Sequence, residues 1–127
     1  MQDTRVYRIL YVDDETDIGE IAQLSLRLEP TFDVRVRSSG EDALIEARSW
    51  HPNLVLLDMM MPGLDGPETL RRMRADPEIS GIPVVFVTAR TRSEDVERLL
   101  GLGAAGVIRK PFSPMMLASQ VKPYIDP

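Results

Sequence analysis

The stretch Leu54-Val55-Leu56-Leu57-Asp58 decides the fold, because four consecutive apolar residues end abruptly at a carboxylate. A strand that is apolar on both sides must be covered on both faces, as a central strand of a parallel sheet is. Turn-forming residues at 62–66 follow this strand, and a helical pattern then runs to Pro77. The order of strand, loop and helix predicts a βαβ unit.

The alternation of apolar runs and helical patterns extends from this strand in both directions. Toward the N-terminus, the run 9–12 predicts a buried strand, and the alternating residues 34–37 predict a strand at the sheet edge. Toward the C-terminus, the runs 84–87 and 107–108 predict two further strands. Five such repeats predict a single α/β domain over residues 1–127, with a parallel sheet, five helices and no output domain.

Capping residues and apolar spacing locate the helices. The hydroxyls of 38–39 can cap the second helix, and Ser93 can cap the fourth. The last helix is predicted to run from about Ser113 to Val121. In the first helix we expect Leu26 to lie off the core-facing side. The residues expected to face the core there are spaced as on one side of a helix: Ile18, Ile21, Ala22, Leu24 and Leu28.

Composition restricts the class of protein. A chain of 127 residues, 43% of them apolar, suits one folded domain. Its formal net charge of −5 argues against direct nucleic-acid binding, which usually needs a basic face. It has no cysteine for disulfides and no apolar stretch near the roughly 20 residues of a membrane span, and we expect no signal peptide because residues 1–5 lack a long apolar region. We therefore expect a cytoplasmic protein without membrane contact.

Groups that bind cations or phosphates follow four of the predicted strands. In open parallel sheets, ligands bind outside the carboxyl ends of the strands, so these groups are expected to share one cleft. They are the carboxylates Asp13, Asp14 and Asp58, the hydroxyl of Thr88 and the ammonium of Lys110.

Three carboxylates in one cleft repel one another, by roughly 4 kcal/mol for a pair about 4 Å apart near a protein surface. Such a cluster must take up protons or bind a divalent cation, and an all-oxygen site with open water positions suits Mg²⁺. A carboxylate beside that cation can act as a nucleophile and form an aspartyl phosphate. The ammonium of Lys110 and the hydroxyl of Thr88 would then contact the phosphoryl oxygens.

The ordered motifs resemble the receiver domains of response regulators along essentially the whole chain. The similar segments are Tyr11-Val12-Asp13-Asp14-Glu15, the run from Leu57 to Gly63, Thr88-Ala89, and Lys110-Pro111-Phe112. The resemblance implies a flavodoxin-like, doubly wound sheet of strand order 2-1-3-4-5. It also implies a regulatory domain, not an enzyme: a Mg²⁺-dependent switch in two-component or phosphorelay signalling.

The resemblance also implies roles for individual residues. Asp58 would accept the phosphoryl group, and Thr88 and Lys110 would assist it. Asp14 would ligate Mg²⁺ directly and Asp13 mainly through water, and the backbone carbonyl of Met60 would complete the protein ligands together with Asp58. A cis peptide bond would precede Pro111.

One position departs from the family pattern. Where the family usually has an aromatic residue three positions before the lysine, this chain has Val107, which is stiff and has no ring to turn inward. We predict intact phosphorylation chemistry with an output switch that is weak or differently built. Ala89 is the small neighbour of the switch hydroxyl, and Met60 and Arg90 occupy variable positions expected to affect the lifetime of the phosphoryl group.

The resemblance implies partners as well. A histidine kinase or phosphotransfer protein would use the first helix, where Leu26 is an expected contact. A downstream protein or output domain would use the surface of the fourth helix, fifth strand and fifth helix, and phosphorylation-dependent dimerisation is a further outcome that the resemblance allows.

Other interpretations of these motifs are weaker. Gly101-Leu102-Gly103-Ala104-Ala105-Gly106 spells G-x-G-x-x-G, but it closes a helix where a dinucleotide site must open one. His51, the only histidine, is expected at the surface. The alternative functions are a Mg²⁺-dependent phosphohydrolase, a binding module that is never phosphorylated, and a flavin-binding protein. The first lacks a second acid or base near Asp58, the second gains support from Val107, and the third lacks a Ser/Thr-rich phosphate loop.

Overall fold

A computed structural model describes residues 5–125 of the chain. Residues 1–4 and 126–127 lie outside that description. The prediction of no signal peptide concerns residues 1–5 and therefore falls mostly on residues that are not described. The described elements alternate as predicted: β1 (Tyr7–Val12), α1 (Thr16–Leu26), β2 (Phe32–Arg37), α2 (Gly40–Trp50), β3 (Leu54–Asp58), α3 (Gly66–Ala75), β4 (Val84–Thr88), α4 (Ser93–Gly101), β5 (Gly106–Arg109), α5 (Leu117–Val121) and a 3₁₀ turn (Lys122–Tyr124).

The five strands form one parallel sheet in the order β2-β1-β3-β4-β5, which confirms the predicted topology. The chain runs outward from β1 to β2 and then returns to β3 on the other side of β1. Such a reversal opens a crevice at the carboxyl ends of β1 and β3. Val12 lies opposite Leu57 in this register, so the residues that follow both strands lie side by side.

Hydrophobic side chains cover both faces of the sheet, as the unbroken apolar run in β3 predicts. Val55 and Leu57 pack toward α2 and α3, whereas Leu54 and Leu56 pack toward α1 and α5. All five residues of β3 are buried. The sheet is thus a rigid platform with only its edges and ends open to solvent.

The predicted orientation of α1 is wrong in part, because Ile18 and Ala22 pack against the core as expected and the other residues do not. Leu26, expected as a surface contact, is fully buried with Ala22 in the core. Three of the residues expected in the core are instead solvent-exposed, namely Ile21 (46%), Leu24 (69%) and Leu28 (62%). Leu28 also lies beyond the last residue of the helix.

Close packing explains which side of α1 is buried. The inward side carries the small residues Gly19, Ala22 and Ser25 beside Leu26. A Cβ atom at Gly19 would lie 3.0 Å from Cγ1 of Val36, so the missing side chain lets the helix approach β2. The sequence offered two apolar sides, and the side with small residues fits the sheet more closely.

Helix ends differ from the predictions at two places. Ser93 is the first residue of α4 and not its cap, because Arg92 occupies the N-cap position without a side-chain hydrogen bond. The last helix is shorter than predicted, since α5 begins at Leu117 after a turn that starts at Ser113. The predicted capping of α2 is confirmed, because the Ser39 hydroxyl accepts a hydrogen bond from a backbone N–H.

The G-x-G-x-x-G segment begins at Gly101, the last residue of α4, in agreement with its interpretation as a helix end. Gly103 has a φ of 105°, a left-handed conformation that favours glycine. His51 is exposed and ends α2, also with a positive φ. Neither feature contributes to the carboxyl edge of the sheet.

Candidate phosphoryl-acceptor site

The carboxyl edge of the sheet brings the predicted site residues together. Asp13 directly follows β1, Asp58 and Thr88 end β3 and β4, and Lys110 directly follows β5. Asp13, Asp58 and Thr88 are buried and Asp14 is exposed. The parallel register therefore places polar groups from distant parts of the sequence at one end of the molecule.

Three carboxylates form an acidic cluster at this edge: Asp13, Asp14 and Asp58. One carboxylate oxygen from each lies within 4.8 Å of the other two. Burial and the charge of Asp13 raise the pKa of Asp58 to about 6, although Lys110 opposes the shift. Oxygen donors crowded so closely fit a hard divalent cation such as Mg²⁺, because its charge lets all three carboxylates stay ionised.

Asp13 is held by three donors. Its Oδ1 accepts a hydrogen bond of 3.0 Å from the backbone N–H of Glu15. Its Oδ2 accepts one of 3.1 Å from the Tyr11 hydroxyl and one of 2.6 Å from the ammonium of Lys110. Sequence reasoning missed Tyr11, although the two-residue period of a strand places its side chain on the same face as Asp13.

Lys110 pairs with two members of the acidic cluster. Its Nζ lies 2.6 Å from Oδ2 of Asp13 and 3.6 Å from Oδ2 of Asp58. Burial would lower the pKa of Lys110, but the hydrogen bond and charge of Asp13 outweigh it and the net pKa is raised. The Lys110–Pro111 bond is cis, as predicted.

Thr88 is buried on the strand next to Asp58. Its Oγ1 accepts a hydrogen bond of 3.0 Å from the backbone N–H of Arg90 and contacts the Met59 sulfur at 4.0 Å. A thioether is a weak acceptor, so this hydroxyl can turn toward a better one. Thr88 thus lies at the carboxyl edge of the sheet, and no strong hydrogen bond fixes the direction of its hydroxyl proton.

The residues expected to tune the site surround this cleft. Met60 is 58% exposed, and its N–H points at Oδ1 of Asp58 across 3.4 Å. Ala89 and Arg90 are exposed at the start of the loop after β4. Val107 is partly buried on β5 opposite Phe86. Its own side chain has no ring that could turn between inward and outward positions.

Gly66 closes the loop after Asp58. Its N–H donates a hydrogen bond of 3.0 Å to the carbonyl of Met59. A Cβ atom there would overlap the carbonyl oxygen of Asp58, so only glycine lets the start of α3 approach the strand end this closely. The side chain of Asp65 caps α3 by accepting from the N–H of Glu68.

The strand order and the carboxyl-edge cluster define a flavodoxin-like fold of the receiver type. A sequence profile of the response regulator receiver domain matches residues 9–122, and the chain belongs to that family. It is therefore a regulatory signalling domain of response regulators.

Individual relatives agree with this assignment. The DNA-binding response regulator MtrA of Mycobacterium tuberculosis is 43% identical over 120 residues, covering 94% of this chain and 51% of MtrA. The chain thus spans about half the length of the curated relatives it matches. A putative response regulator from Chloroflexus aurantiacus superposes with a TM-score of 0.88 at 29% identity, covering 97% of this chain and all of that one. Vibrio cholerae chemotaxis protein CheY4 shares the fold, with a TM-score of 0.86 at 24% identity, covering 94% and 98% of the two chains.

Proposed function

We propose that this receiver domain accepts a phosphoryl group on Asp58 in a Mg²⁺-dependent reaction and thereby changes its binding to other proteins. One observation carries the proposal. Three carboxylates lie within 4.8 Å of one another, and the ammonium of Lys110 lies 2.6 Å from one and 3.6 Å from another. This arrangement places a nucleophile, oxygen ligands for a cation, and a fixed positive charge in a single cleft.

The transfer itself is a substitution at phosphorus. An ionised carboxylate oxygen of Asp58 attacks the phosphorus of a phosphohistidine on a kinase or phosphotransfer partner. As the new O–P bond forms, the N–P bond breaks and its electron pair stays on the ring nitrogen, so that a ring protonated on its other nitrogen leaves as neutral imidazole. Asp13, Asp14, Asp58 and the carbonyl of Met60 would hold Mg²⁺, which when bound supplies positive charge beside the phosphoryl oxygens.

The remaining site residues respond to the transferred group. Lys110 moves its ammonium onto a phosphoryl oxygen, and the Thr88 hydroxyl donates a hydrogen bond to another. The change then reaches the surface of α4, β5 and α5, where a downstream protein, an output domain or a second copy would bind. With Val107 in place of a ring, this output change is small or takes another route, and Met60 and Arg90 affect the phosphoryl lifetime.

The exposed side of α1 is the proposed contact for the phosphoryl donor, in place of the buried Leu26. Ile21, Leu24 and Leu28 form an apolar row that is exposed to solvent. Beside the row lies an apolar cavity of about 280 Å³, whose lining includes Ile18, Pro111 and Phe112. Because the lysine of the acidic site also lines it, a helix carrying the phosphohistidine could pack here with its imidazole close to the acceptor carboxylate.

The cellular setting follows from the same proposal. No helix within residues 5–125 is long and apolar enough to cross a membrane. We place the domain in the cytoplasm, where it would meet its kinase. MtrA is a DNA-binding response regulator. For the receiver domain described here we propose contacts with protein partners and no direct contact with DNA.

Labelling with acetyl phosphate and Mg²⁺ tests the proposal. Wild type is expected to gain one phosphoryl group, detected by intact-protein mass spectrometry, while Asp58→Asn gains none. Beryllofluoride should likewise shift the backbone resonances of the cleft in wild type alone. Equal behaviour of the two proteins would overturn the proposal and favour the second candidate, a binding module that is never phosphorylated, which the absence of a ring at Val107 supports.

A further inference from the structure

Tyr11 is a buried polar side chain that the proposed reaction does not yet use. It lies on β1 with 1% of its surface exposed, two residues before Asp13. Its hydroxyl donates a hydrogen bond of 3.1 Å to Oδ2 of Asp13. The same oxygen accepts the ammonium of Lys110 at 2.6 Å. Oδ2 of Asp13 therefore accepts from two donors. The Tyr11 hydroxyl is neutral and fixed on a buried strand, whereas the Lys110 ammonium is charged and ends a long flexible side chain.

The ring of Tyr11 contacts the loop that carries the lysine. It meets the ring of Phe112 edge to face, with centroids 6.5 Å apart and planes inclined at 73°. Phe112 lies two residues after Lys110 on that loop. Tyr11 thus contacts both partners of the ion pair, Asp13 through its hydroxyl and the lysine loop through its ring.

The hydroxyl of Tyr11 is buried where Asp13 is its hydrogen-bond acceptor, at 3.1 Å. A neutral phenol beside a carboxylate has one favourable orientation, with its proton directed at the carboxylate oxygen.

The proposed reaction removes the ammonium from Oδ2 of Asp13. Lys110 must move from that oxygen to the phosphoryl oxygen, while Mg²⁺ would remain beside the carboxylate. The loss of a donor from a buried carboxylate oxygen is costly, and this cost would oppose the movement of the lysine. The donors that stay in place are the Tyr11 hydroxyl and the backbone N–H of Glu15.

We propose that Tyr11 is a positioning residue for phosphorylation, whose hydroxyl keeps Asp13 oriented and hydrogen-bonded while Lys110 transfers to the phosphoryl group. The inference rests on the proposed function of Asp58. It adds that the lysine is released from the acidic cluster at low cost because a second donor already occupies the same oxygen.

Tyr11→Phe removes the hydroxyl and keeps the ring packed on Phe112. Tyr7→Phe is the matched control, because it deletes the same group from the same strand and the same face at the far end from the acidic cluster. We would measure the labelling rate of both variants with acetyl phosphate over a range of Mg²⁺ concentrations, and their affinity for beryllofluoride at saturating Mg²⁺. Thermal unfolding would be recorded alongside.

Tyr11→Phe is expected to lower the labelling rate at saturating Mg²⁺ and the affinity for beryllofluoride, each roughly tenfold, the usual effect of a hydrogen bond to a charged group. Tyr7→Phe should match wild type. A structural role alone would lower the unfolding temperature of Tyr11→Phe and leave both quantities unchanged, which would overturn the inference while Asp58 still accepts phosphate. Failure of wild type to label would overturn the proposed function itself.

A measurement on wild type keeps the test valid if Tyr11→Phe does not fold. A hydroxyl proton that stays bonded to Asp13 exchanges slowly enough to give its own proton NMR signal, which the Tyr7→Phe spectrum helps to assign. The signal should persist and shift when beryllofluoride and Mg²⁺ are added. Its loss to solvent exchange on activation would show that the hydroxyl leaves Asp13, and would contradict the inference.

Discussion

The acidic cluster and the neighbouring β4–β5 side, which comprises α4, Thr88 and Val107, differ in how firmly they are held. Asp13 by itself receives three hydrogen bonds, one of them from the partly buried ammonium of Lys110. On the β4–β5 side, Leu99 is the only buried residue within the described α4, whereas α2 buries six of its eleven residues. Chemistry needs charges fixed in advance, and a switch needs an element that can move. The difference fits the proposed division between a reaction site and a responsive surface.

Replacing Lys110 should have the largest effect, because it disrupts the firmly held side. Lys110→Met leaves Asp13 buried without its cation, which should lower the free energy of unfolding by about 2–3 kcal/mol, and it should slow labelling by acetyl phosphate roughly a hundredfold. Urea unfolding and labelling kinetics would measure both.

Lys122→Met is the matched control for that substitution. Lys122 pairs with Glu29 at 2.5 Å, but its side chain is 56% exposed. Its loss should change the stability by less than about 0.5 kcal/mol. Equal losses of stability in Lys110→Met and Lys122→Met would contradict the expectation that the acidic cluster is held more firmly than an exposed ion pair.

Asp58→Asn should make the protein more stable at neutral pH while abolishing its labelling. The pKa of Asp58 is raised to about 6, so the folded state takes up a proton more readily than the unfolded chain. That pKa already includes the attraction to Lys110, so the ionised carboxylate costs stability above about pH 6, by about 1–2 kcal/mol after allowance for screening by solvent.

The pH dependence gives this prediction its sign. The advantage of Asp58→Asn should be complete above about pH 6, shrink as the pH falls, and vanish below about pH 4, where both states of wild type are protonated. Thermal unfolding across that range would measure it. Mg²⁺ should stabilise wild type more than the variant. A constant difference at all pH values would point to a cause other than the carboxyl group.

Hydrogen exchange tests the contrast directly on the unaltered protein. Because only Leu99 anchors the described α4, its backbone amides should exchange at least about tenfold faster than those of α2. Beryllofluoride with Mg²⁺ should narrow the difference if activation orders the β4–β5 side. Equal protection of the two helices would remove the contrast.

Val107→Tyr should give the smallest effect on the reaction and sharpen the comparison. Val107 packs only partly against the core, so a larger side chain has room to point outward. The labelling rate should stay within about twofold of wild type, since the acidic cluster is untouched. Beryllofluoride should, however, produce larger chemical-shift changes along α4 than in wild type. Unchanged shifts would show that the ring is not what limits the output.

The sequence predicted the parallel sheet better than the packing of the helices against it. The apolar runs located the five strands, and the resemblance to receiver domains implied their order and the cis bond before Pro111. The structure agrees on each point. The orientation of α1 could not be predicted in the same way, because Ile21 and Leu24 offer more apolar surface to the core than Leu26 alone. The choice depended on a close fit between the glycine of α1 and a valine of β2, which is a contact between separate elements.

The candidate site, too, was predicted in part from the sequence and decided in part by the tertiary structure. Periodicity and residue type alone determined that carboxylates, a hydroxyl and a lysine would stand at the carboxyl edge of a parallel sheet, because apolar runs form the buried strands and each of these groups comes where such a run ends. Only the tertiary structure decided that Lys110 bonds Asp13 more closely than Asp58, and that Tyr11 shares the same oxygen. Such distances depend on how closely elements 97 residues apart in sequence approach, which no local pattern encodes.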